Sequence, residues 1–313
     1  MKGMILAAGF GTRLRPITHT LPKPMVPLCN RPLIAWAVES FLAAEVRELI
    51  VNLHHLPEPI QRYLRAAYQG RAEFHFSFEE QILGTGGAIR RVRSLLEKDE
   101  AFFVVNGDTV QFPRWNALRE ALGDNIAALT LRHPPENDRF TPVYLDHGHV
   151  TGFGTGQGQP LMFAGSHLIS SRILQHLPDQ DEFGIVDRVY QPLLASGTET
   201  LAGVVDEGEL WFDIGTSQRY QSASTALLDA IVSGRLAAPE GSRVEGQSLL
   251  HTTSRGAAEH SIIGARSTIH GEVRDCIVWD DCVIDGTIER CIVAHGVHVE
   301  GHHRDELIVA SEG

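Results

Sequence analysis

Two glycines, an arginine and a proline-flanked lysine gather in Leu6–Met25 (LAAGFGTRLRPITHTLPKPM), directly after the apolar stretch Gly3–Ala7. Gly9 and Gly11 admit positive φ and let backbone approach a ligand closely. Arg13 and Lys23 bring positive charge to a chain with 39 acidic residues and 27 lysines and arginines. Pro22 and Pro24 fix φ on both sides of Lys23, so its ammonium is presented from a stiff segment. The only other lysines are Lys2 and Lys98, and an ammonium is a compact point charge suited to a single phosphate oxygen. The chemistry this combination serves is the holding of a polyphosphate. It is neither of two familiar phosphate loops: Leu14 replaces the third glycine of a dinucleotide fingerprint, and no glycine-lysine-serine/threonine run follows.

The run G-x-G-T-R-L followed by P-K-P-M closely resembles the signature of nucleoside-triphosphate:sugar-1-phosphate nucleotidyltransferases of the mannose-1-phosphate guanylyltransferase-like kind. The resemblance covers Lys2 to about Ser233. It implies that backbone from Leu6 and Ala8 through Gly9 and Gly11 to Thr12 lines the nucleotide. Arg13 would hold the β- and γ-phosphates, and Lys23 the α-phosphate and the incoming phosphate.

Two approaching phosphates need a divalent cation held by carboxylates. Asp108 follows the buried run Phe102–Val105, and Asp213 stands in Trp211-Phe212-Asp213-Ile214-Gly215-Thr216 before a helical stretch. Both resemble the family's paired metal ligands, implying Mg2+. The segment Glu79–Ala88 (EEQILGTGGA) resembles the nucleobase-reading segment, with Glu79 at the base edge and the glycines beside Gly84 and Thr85 letting a base lie on backbone. A carboxylate can accept two hydrogen bonds from guanine, whereas an amide suits a uracil or thymine edge; this leans to GTP. On the sugar side, Asp138–Val143 places Thr141 where many relatives carry glycine, Gly154-Thr155 replaces a common Glu-Lys pair, and Phe163-Ala164-Gly165 resembles a sugar-proximal strand. Asp108, Thr141 and Gly165 are the expected acceptor contacts, and the sugar is left open.

The elements that must position these residues alternate. Apolar runs at Met4–Ala7, Leu49–Leu53, Phe74–Phe78, Phe102–Val105 and Ala127–Leu131 are separated by helical patterns at Leu33–Ala44, Pro59–Ala67 and Ala88–Leu96. This predicts an α/β fold, a Rossmann-like catalytic domain with a mostly parallel sheet, helices on both faces and ligands at the carboxyl ends of the strands. A hairpin is expected at Val143–Leu145 and Val150–Phe153, with helices at Ile185–Ala195 and Ser217–Ser233. Catalytic residues 1–233 are then joined through Gly234–Ser242 to a tail, 243–313.

The tail repeats. Ser261–Asp275, Cys276–Arg290 and Cys291–Asp305 align at a period of 15, superposing Ile263, Val278 and Val293, and Ile269, Ile284 and Val299. Stacked β-branched positions predict a short parallel β-solenoid, which resembles the left-handed β-helix of hexapeptide-repeat proteins; the period predicts irregular or flattened coils. Cys276, Cys282, Cys291 and the histidines at 295, 298, 302 and 303 match no standard zinc module, and the cysteines read as small buried residues stacked in the coil interior.

The acidic balance opposes nucleic-acid binding. No long apolar run or secretory leader is present in the sequence, so a cytoplasmic protein with reduced cysteines and no membrane partner is expected. The implied reaction is in-line attack by a sugar 1-phosphate on the α-phosphate of a nucleoside triphosphate, with Arg13, Lys23 and Asp108 carrying it. Rival readings are a non-catalytic nucleotide-sugar-binding regulator, a solenoid acyltransferase, and transfer from UTP or dTTP, or to phosphocholine. Presence of Arg13, Lys23, Asp108 and Asp213 disfavours the regulator, and the few coils disfavour the acyltransferase; oligomerisation or domain support is expected of the tail instead, in a chain expected to form a homo-oligomer.

Overall fold

The apolar runs bounded by polar turns form the strands of one large sheet in this computed structural model, in which residues 1–135 and 140–310 are described. Asp138 and Arg139 of the sugar-side segment lie outside the described residues. In chain order the elements of the sheet and its helices are β1 (Gly3–Leu6), α1 (Leu33–Ala43), β2 (Glu48–Leu53), α2 (Pro57–Ala67), β3 (Glu73–Phe78), α3 (Gly84–Arg91) and β4 (Ala101–Asn106). There follow α4 (Trp115–Leu122), β5 (Ala127–Arg132), β6 (Val143–Asp146), β7 (His149–Phe153), β8 (Gln159–Ser170), α5 (Gln191–Ser196) and β9 (Leu201–Val205). Residues 1–10 and 36–211 form one compact unit; residues 11–35 and those from 212 onward form a second.

In the first unit the strand order is β3-β2-β1-β4-β8-β5-β9-β7-β6. β1 runs parallel to both β2 and β4, with Leu6 opposite Asn52 on one side and Asn106 on the other. The order reverses at β1, and the carboxyl ends of β1, β2 and β4 are level; an open α/β sheet binds its ligands at such a switch point. Met4, Ile50, Phe102, Val104 and Leu129 are fully buried in the core of this unit, each side chain contributing about 1.5–3 kcal/mol of burial.

The sheet is less parallel than the sequence predicts. β8 pairs antiparallel with β4, β5 and β6, and parallel pairing resumes only between β5 and β9. The cause lies in the β6–β7 hairpin: a turn at His147-Gly148 sends the chain back, and β8 returns from it against its neighbours. β8 is bulged between Phe163 and His167.

In the second unit, residues 12–25 make three short 3-10 turns, Thr12–Leu14, Ile17–His19 and Lys23–Met25. They lead to a small hairpin of Pro27–Leu28 with Arg31–Pro32. Helix α6 (Ser217–Val232) is capped by the Thr216 hydroxyl, which accepts from the Arg219 N–H at 3.2 Å. The 1–233 and 243–313 division read from sequence is not how the compact units fall, and a set of long-range hydrogen bonds within the second unit goes with this. The Tyr220 hydroxyl donates to the Pro27 carbonyl at 2.5 Å and accepts from Trp279 Nε1 at 2.9 Å, while Asn30 Nδ2 donates to the Ile263 carbonyl at 3.1 Å. The hairpin that follows the signature segment is thereby tied to α6 and to the tail.

The tail coils with the period of 15. Ile262, Ile277 and Ile292 pair in parallel succession, as do Thr268, Val283 and His298, and Thr287 with His302. Each coil contributes two- or three-residue strands to three separate parallel sheets. The coils are thus three-sided rather than flattened, because strands this short fit three faces and their turns into 15 residues. Ile263, Val278 and Val293 stack in the interior with Cys276, Cys282 and Cys291. The four cysteines are buried and unpaired. His298, in contrast, faces outward onto Asp285, so cysteines and histidines do not converge on one centre. No helix among the described residues is long and apolar enough to cross a membrane.

Candidate active site

At the carboxyl end of the first unit's sheet, Leu6 and Asn106 stand side by side, and the Gly107 N–H donates to the Leu6 carbonyl at 2.8 Å. Ala8, Gly9 and Phe10 leave one strand here as Asp108 leaves the next. Ala8 is buried, Gly9 exposed, and Asp108 half-buried with the Thr109 hydroxyl near its Oδ1 at 3.4 Å. Gly165 joins this group: its φ is +88°, and a Cβ there would lie 2.6 Å from Asn106 Nδ2. Only glycine allows the bulge of β8 to pass that close to the segment bearing Asp108.

Beside Gly165, the Ala164 carbonyl accepts from Trp211 Nε1 at 2.9 Å, and the Phe140 ring meets Trp211 edge-on at 6.0 Å. Thr141 follows on an exposed stretch. The Arg132 guanidinium lies over Trp211 at 5.2 Å, with Asp206 at 3.9 Å. Burial pulls Arg132 below its ordinary value, opposed by the Asp206 charge. Deeper in β8, His167 Nδ1 and the Tyr190 hydroxyl share a hydrogen bond at 2.8 Å, and burial pushes the imidazole down to about 3. Buried imidazole this far depressed is neutral and unsuited to proton transfer near pH 7.

The second unit gathers the remaining cations. Gly11 takes φ +63°, and the Thr18 hydroxyl donates to its carbonyl at 2.8 Å, closing the turn that starts Thr12-Arg13. Lys23 is only 6% exposed and packs against Gly11. Exposed Arg13 lies across Gly215, since a Cβ at that glycine would stand 2.9 Å from Nη1 and 3.0 Å from Cζ and Nη2. Gly215 in turn donates to the Asp213 carbonyl at 2.9 Å, and Asp213 Oδ2 accepts from Arg219 Nη1 at 2.6 Å. Arg13, Gly215, Asp213 and Arg219 therefore form one polar cluster from segments 200 residues apart in sequence.

The nucleobase segment departs from the sequence expectation. Glu79 is buried, not presented to a base: Oε1 accepts from Asn52 Nδ2 at 2.8 Å and Oε2 from the Leu83 N–H at 3.0 Å. The glycines after it serve packing. The Gly86 N–H donates to the Phe183 carbonyl at 2.9 Å, a Cβ at Gly84 would meet that same oxygen at 2.7 Å, and the Thr85 hydroxyl accepts from the Ile185 N–H at 2.9 Å. Backbone expected to lie against a base is docked on the 183–185 segment, which satisfies donors at the start of α3. Asn52 is the residue that sequence reasoning passes over: its signal is only a polar residue inside the buried run of β2. Gly215 and Arg219 are legible as part of, or just beyond, the motif around Asp213.

The family profile described as Nucleotidyl transferase matches residues 2–139. The mannose-1-phosphate guanyltransferase of Eremothecium gossypii is 41% identical over 251 residues, covering 74% of this chain and 66% of that protein. That of Hypocrea jecorina is 27% identical over 245 residues, covering 74% of this chain and 65% of the other. The mannose-1-phosphate guanylyltransferase catalytic subunit beta of Danio rerio is 28% identical over 319 residues, covering 96% and 83%. The chain thus spans 65% of the length of the Hypocrea relative. Among solved structures, HddC from Yersinia pseudotuberculosis complexed with GMP-PN aligns with a TM-score of 0.61 at 24% identity, over 72% of this chain and 99% of that one, a likeness of fold.

Proposed function

We propose that this chain, whose residues 2–139 match the Nucleotidyl transferase profile, belongs to that family and is an NTP:sugar-1-phosphate nucleotidyltransferase, acting on GTP and a mannose- or heptose-type 1-phosphate. A phosphate oxygen of the sugar attacks the α-phosphorus in line, the bond to the bridging oxygen breaks, and pyrophosphate leaves; no covalent bond to the protein is made. Such a reaction asks the protein for alignment and charge stabilisation.

The observation that carries this reading is the Arg13 guanidinium lying across Gly215 beside Asp213, with Lys23 buried against Gly11. Arg13 grips the β- and γ-phosphates as a planar fork, and Lys23 places one positive charge at the α-phosphate and the incoming phosphate. Backbone from Leu6 and Ala8 through Thr12 lines the triphosphate, and Asp108, Thr141 and Gly165 meet the acceptor. The carboxylates of Asp108 and Asp213 are hard oxygen donors, and Asp213 already holds a cation in Arg219. They fit Mg2+, which when bound neutralises charge on the phosphates. The relatives named for guanyl transfer support GTP; the Glu79 carboxylate, engaged within the protein, no longer does.

The chemistry belongs to residues 1–233, and the solenoid from 243 onward supports it and builds a homo-oligomer. The acidic composition and the enzyme's soluble substrates support a cytoplasmic location with no nucleic-acid or membrane partner. Pyrophosphate release across GTP, UTP, dTTP, CTP and ATP, crossed with a panel of sugar 1-phosphates and phosphocholine, tests the reading. Release with GTP and a mannose- or heptose-type 1-phosphate is expected; preference for UTP or dTTP overturns the base assignment, and no release with any pair overturns the activity.

A further inference from the structure

We propose that Asn52 and Glu79 form a hydrogen-bond clamp that fixes the start of the signature loop and the start of α3, making Glu79 a positioning residue rather than a reader of the base edge. The inference rests on the nucleotidyl-transfer reading for its catalytic consequence, and on geometry for the clamp itself. Asn52 Oδ1 accepts from the Ala7 N–H at 2.8 Å, and its Nδ2 donates to Glu79 Oε1 at 2.8 Å. Glu79 Oε2 accepts from the Leu83 N–H at 3.0 Å. Asn52 is 4% exposed and Glu79 1%. A second tie runs in parallel. His54 Nδ1 lies 2.7 Å from the Glu79 carbonyl, which can only accept, so Nδ1 carries the proton; the Phe10 ring packs edge-on against that imidazole at 4.9 Å. The loop leaving β1 is held to the segment leaving β3 at both Ala7 and Phe10.

The parity of donors and acceptors explains the residue types. The two ends of the relay, Ala7 N–H and Leu83 N–H, both donate. One middle residue must therefore accept and donate, and the other must accept twice. An amide followed by an ionised carboxylate is a solution; an amide followed by an amide is not, since it leaves a buried donor facing a donor, which costs far more than the missing bond. The carboxylate at 79 is thus required by the interior of the protein, whichever base is bound. The mirror solution is a carboxylate at 52 and an amide at 79. The carboxylate at 52 would accept from Ala7 N–H and from the amide at 79, whose oxygen would accept from Leu83 N–H, with the total charge unchanged.

Three full-length variants test this: Glu79→Gln, Asn52→Asp, and the two combined, each followed by thermal melting and by kcat/KM for GTP and for dTTP. Each single change is expected to lower melting and to reduce kcat/KM for both nucleotides by about tenfold or more, in equal proportion, as a buried donor or a second carboxylate is left unmatched. The double variant is expected to return both quantities to within about threefold of wild type with the GTP-to-dTTP ratio unaltered. Additive losses in the double variant overturn the clamp. A Glu79→Gln protein that melts normally but shifts the GTP-to-dTTP ratio by about tenfold restores Glu79 as the base reader. If the wild type releases no pyrophosphate, the nucleotidyl-transfer reading fails while the melting cycle still decides the clamp: recovery in the double variant supports it and additivity overturns it.

Discussion

Arg219 Nη1 donates to Oδ2 of Asp213 at 2.6 Å, so the carboxylate proposed to hold Mg2+ already faces a guanidinium from the first turn of α6. Both side chains are partly exposed, 33% for Arg219 and 20% for Asp213, which keeps the attraction modest. The pair shields an acidic group beside Arg13, and it sets a fixed positive charge against any metal that arrives there.

Replacing Arg219 by Gln removes that competing charge while keeping a polar side chain. Divalent-ion affinity, read as Mn2+ binding by calorimetry in the absence of nucleotide, is expected to rise about twofold to fivefold. Weaker binding would mean that Arg219 holds Asp213 in place for the metal instead of opposing it.

Gly215 offers a test of Arg13 that leaves the arginine intact. The methyl of Gly215→Ala would stand 2.9–3.0 Å from the Arg13 guanidinium, and the far end of an exposed arginine moves easily. Melting is expected to change little, while KM for the nucleoside triphosphate rises about tenfold because the fork no longer meets its phosphates in register. An unchanged KM in steady-state kinetics would remove Arg13 from triphosphate binding.

Lys23 is the cation whose removal should act on turnover. It is buried at 6% exposure against Gly11, so Lys23→Met, which keeps the stem and removes only the ammonium, is the cleaner variant. A charge that stabilises the transition state more than the bound substrate lowers kcat when lost, here by about a hundredfold or more. Wild-type turnover with a raised KM would assign Lys23 to ground-state binding alone.

Local rules carried much of this molecule. The alternation of apolar runs marked β1 through β5 within a residue or two, because β1, β2, β4 and β5 are buried along nearly their whole length and the half-buried edge strand β3 keeps a Phe-x-Phe-x-Phe alternation, and the 15-residue period foretold which tail residues stack. Glycine-rich loops and single acids were less legible. Glu79 and Gly84–Gly87 carry the composition of a ligand-binding turn, yet their partners are Asn52, 27 residues before Glu79, and Phe183, nearly a hundred residues after Gly84. Nothing local distinguishes a carboxylate that accepts from a base from one that accepts from a buried asparagine. The direction of β8 was hidden for the same kind of reason: whether a strand runs with or against its neighbours depends on the connection that delivers it.

The buried pair of His167 and Tyr190 makes a prediction about acid. In the folded chain His167 is held down to about 3 by burial, against an ordinary value of 6.5, and is hydrogen-bonded to the Tyr190 hydroxyl. Above pH 6.5 both folded and unfolded forms are neutral and the group is silent. As pH falls below 6.5 the unfolded chain binds a proton that the folded chain refuses until about 3, so stability must fall with acid across that window. From about pH 7 to about pH 5 the loss from this residue is about 2 kcal/mol. His167→Asn keeps a hydrogen-bonding amide near the Nδ1 position for Tyr190 and cannot be protonated. Urea unfolding at the two pH values should therefore show a smaller acid-induced loss in the variant than in wild type, by about 2 kcal/mol. Equal losses would mean that His167 becomes protonated within the folded protein, and that the β8 interior around it admits water.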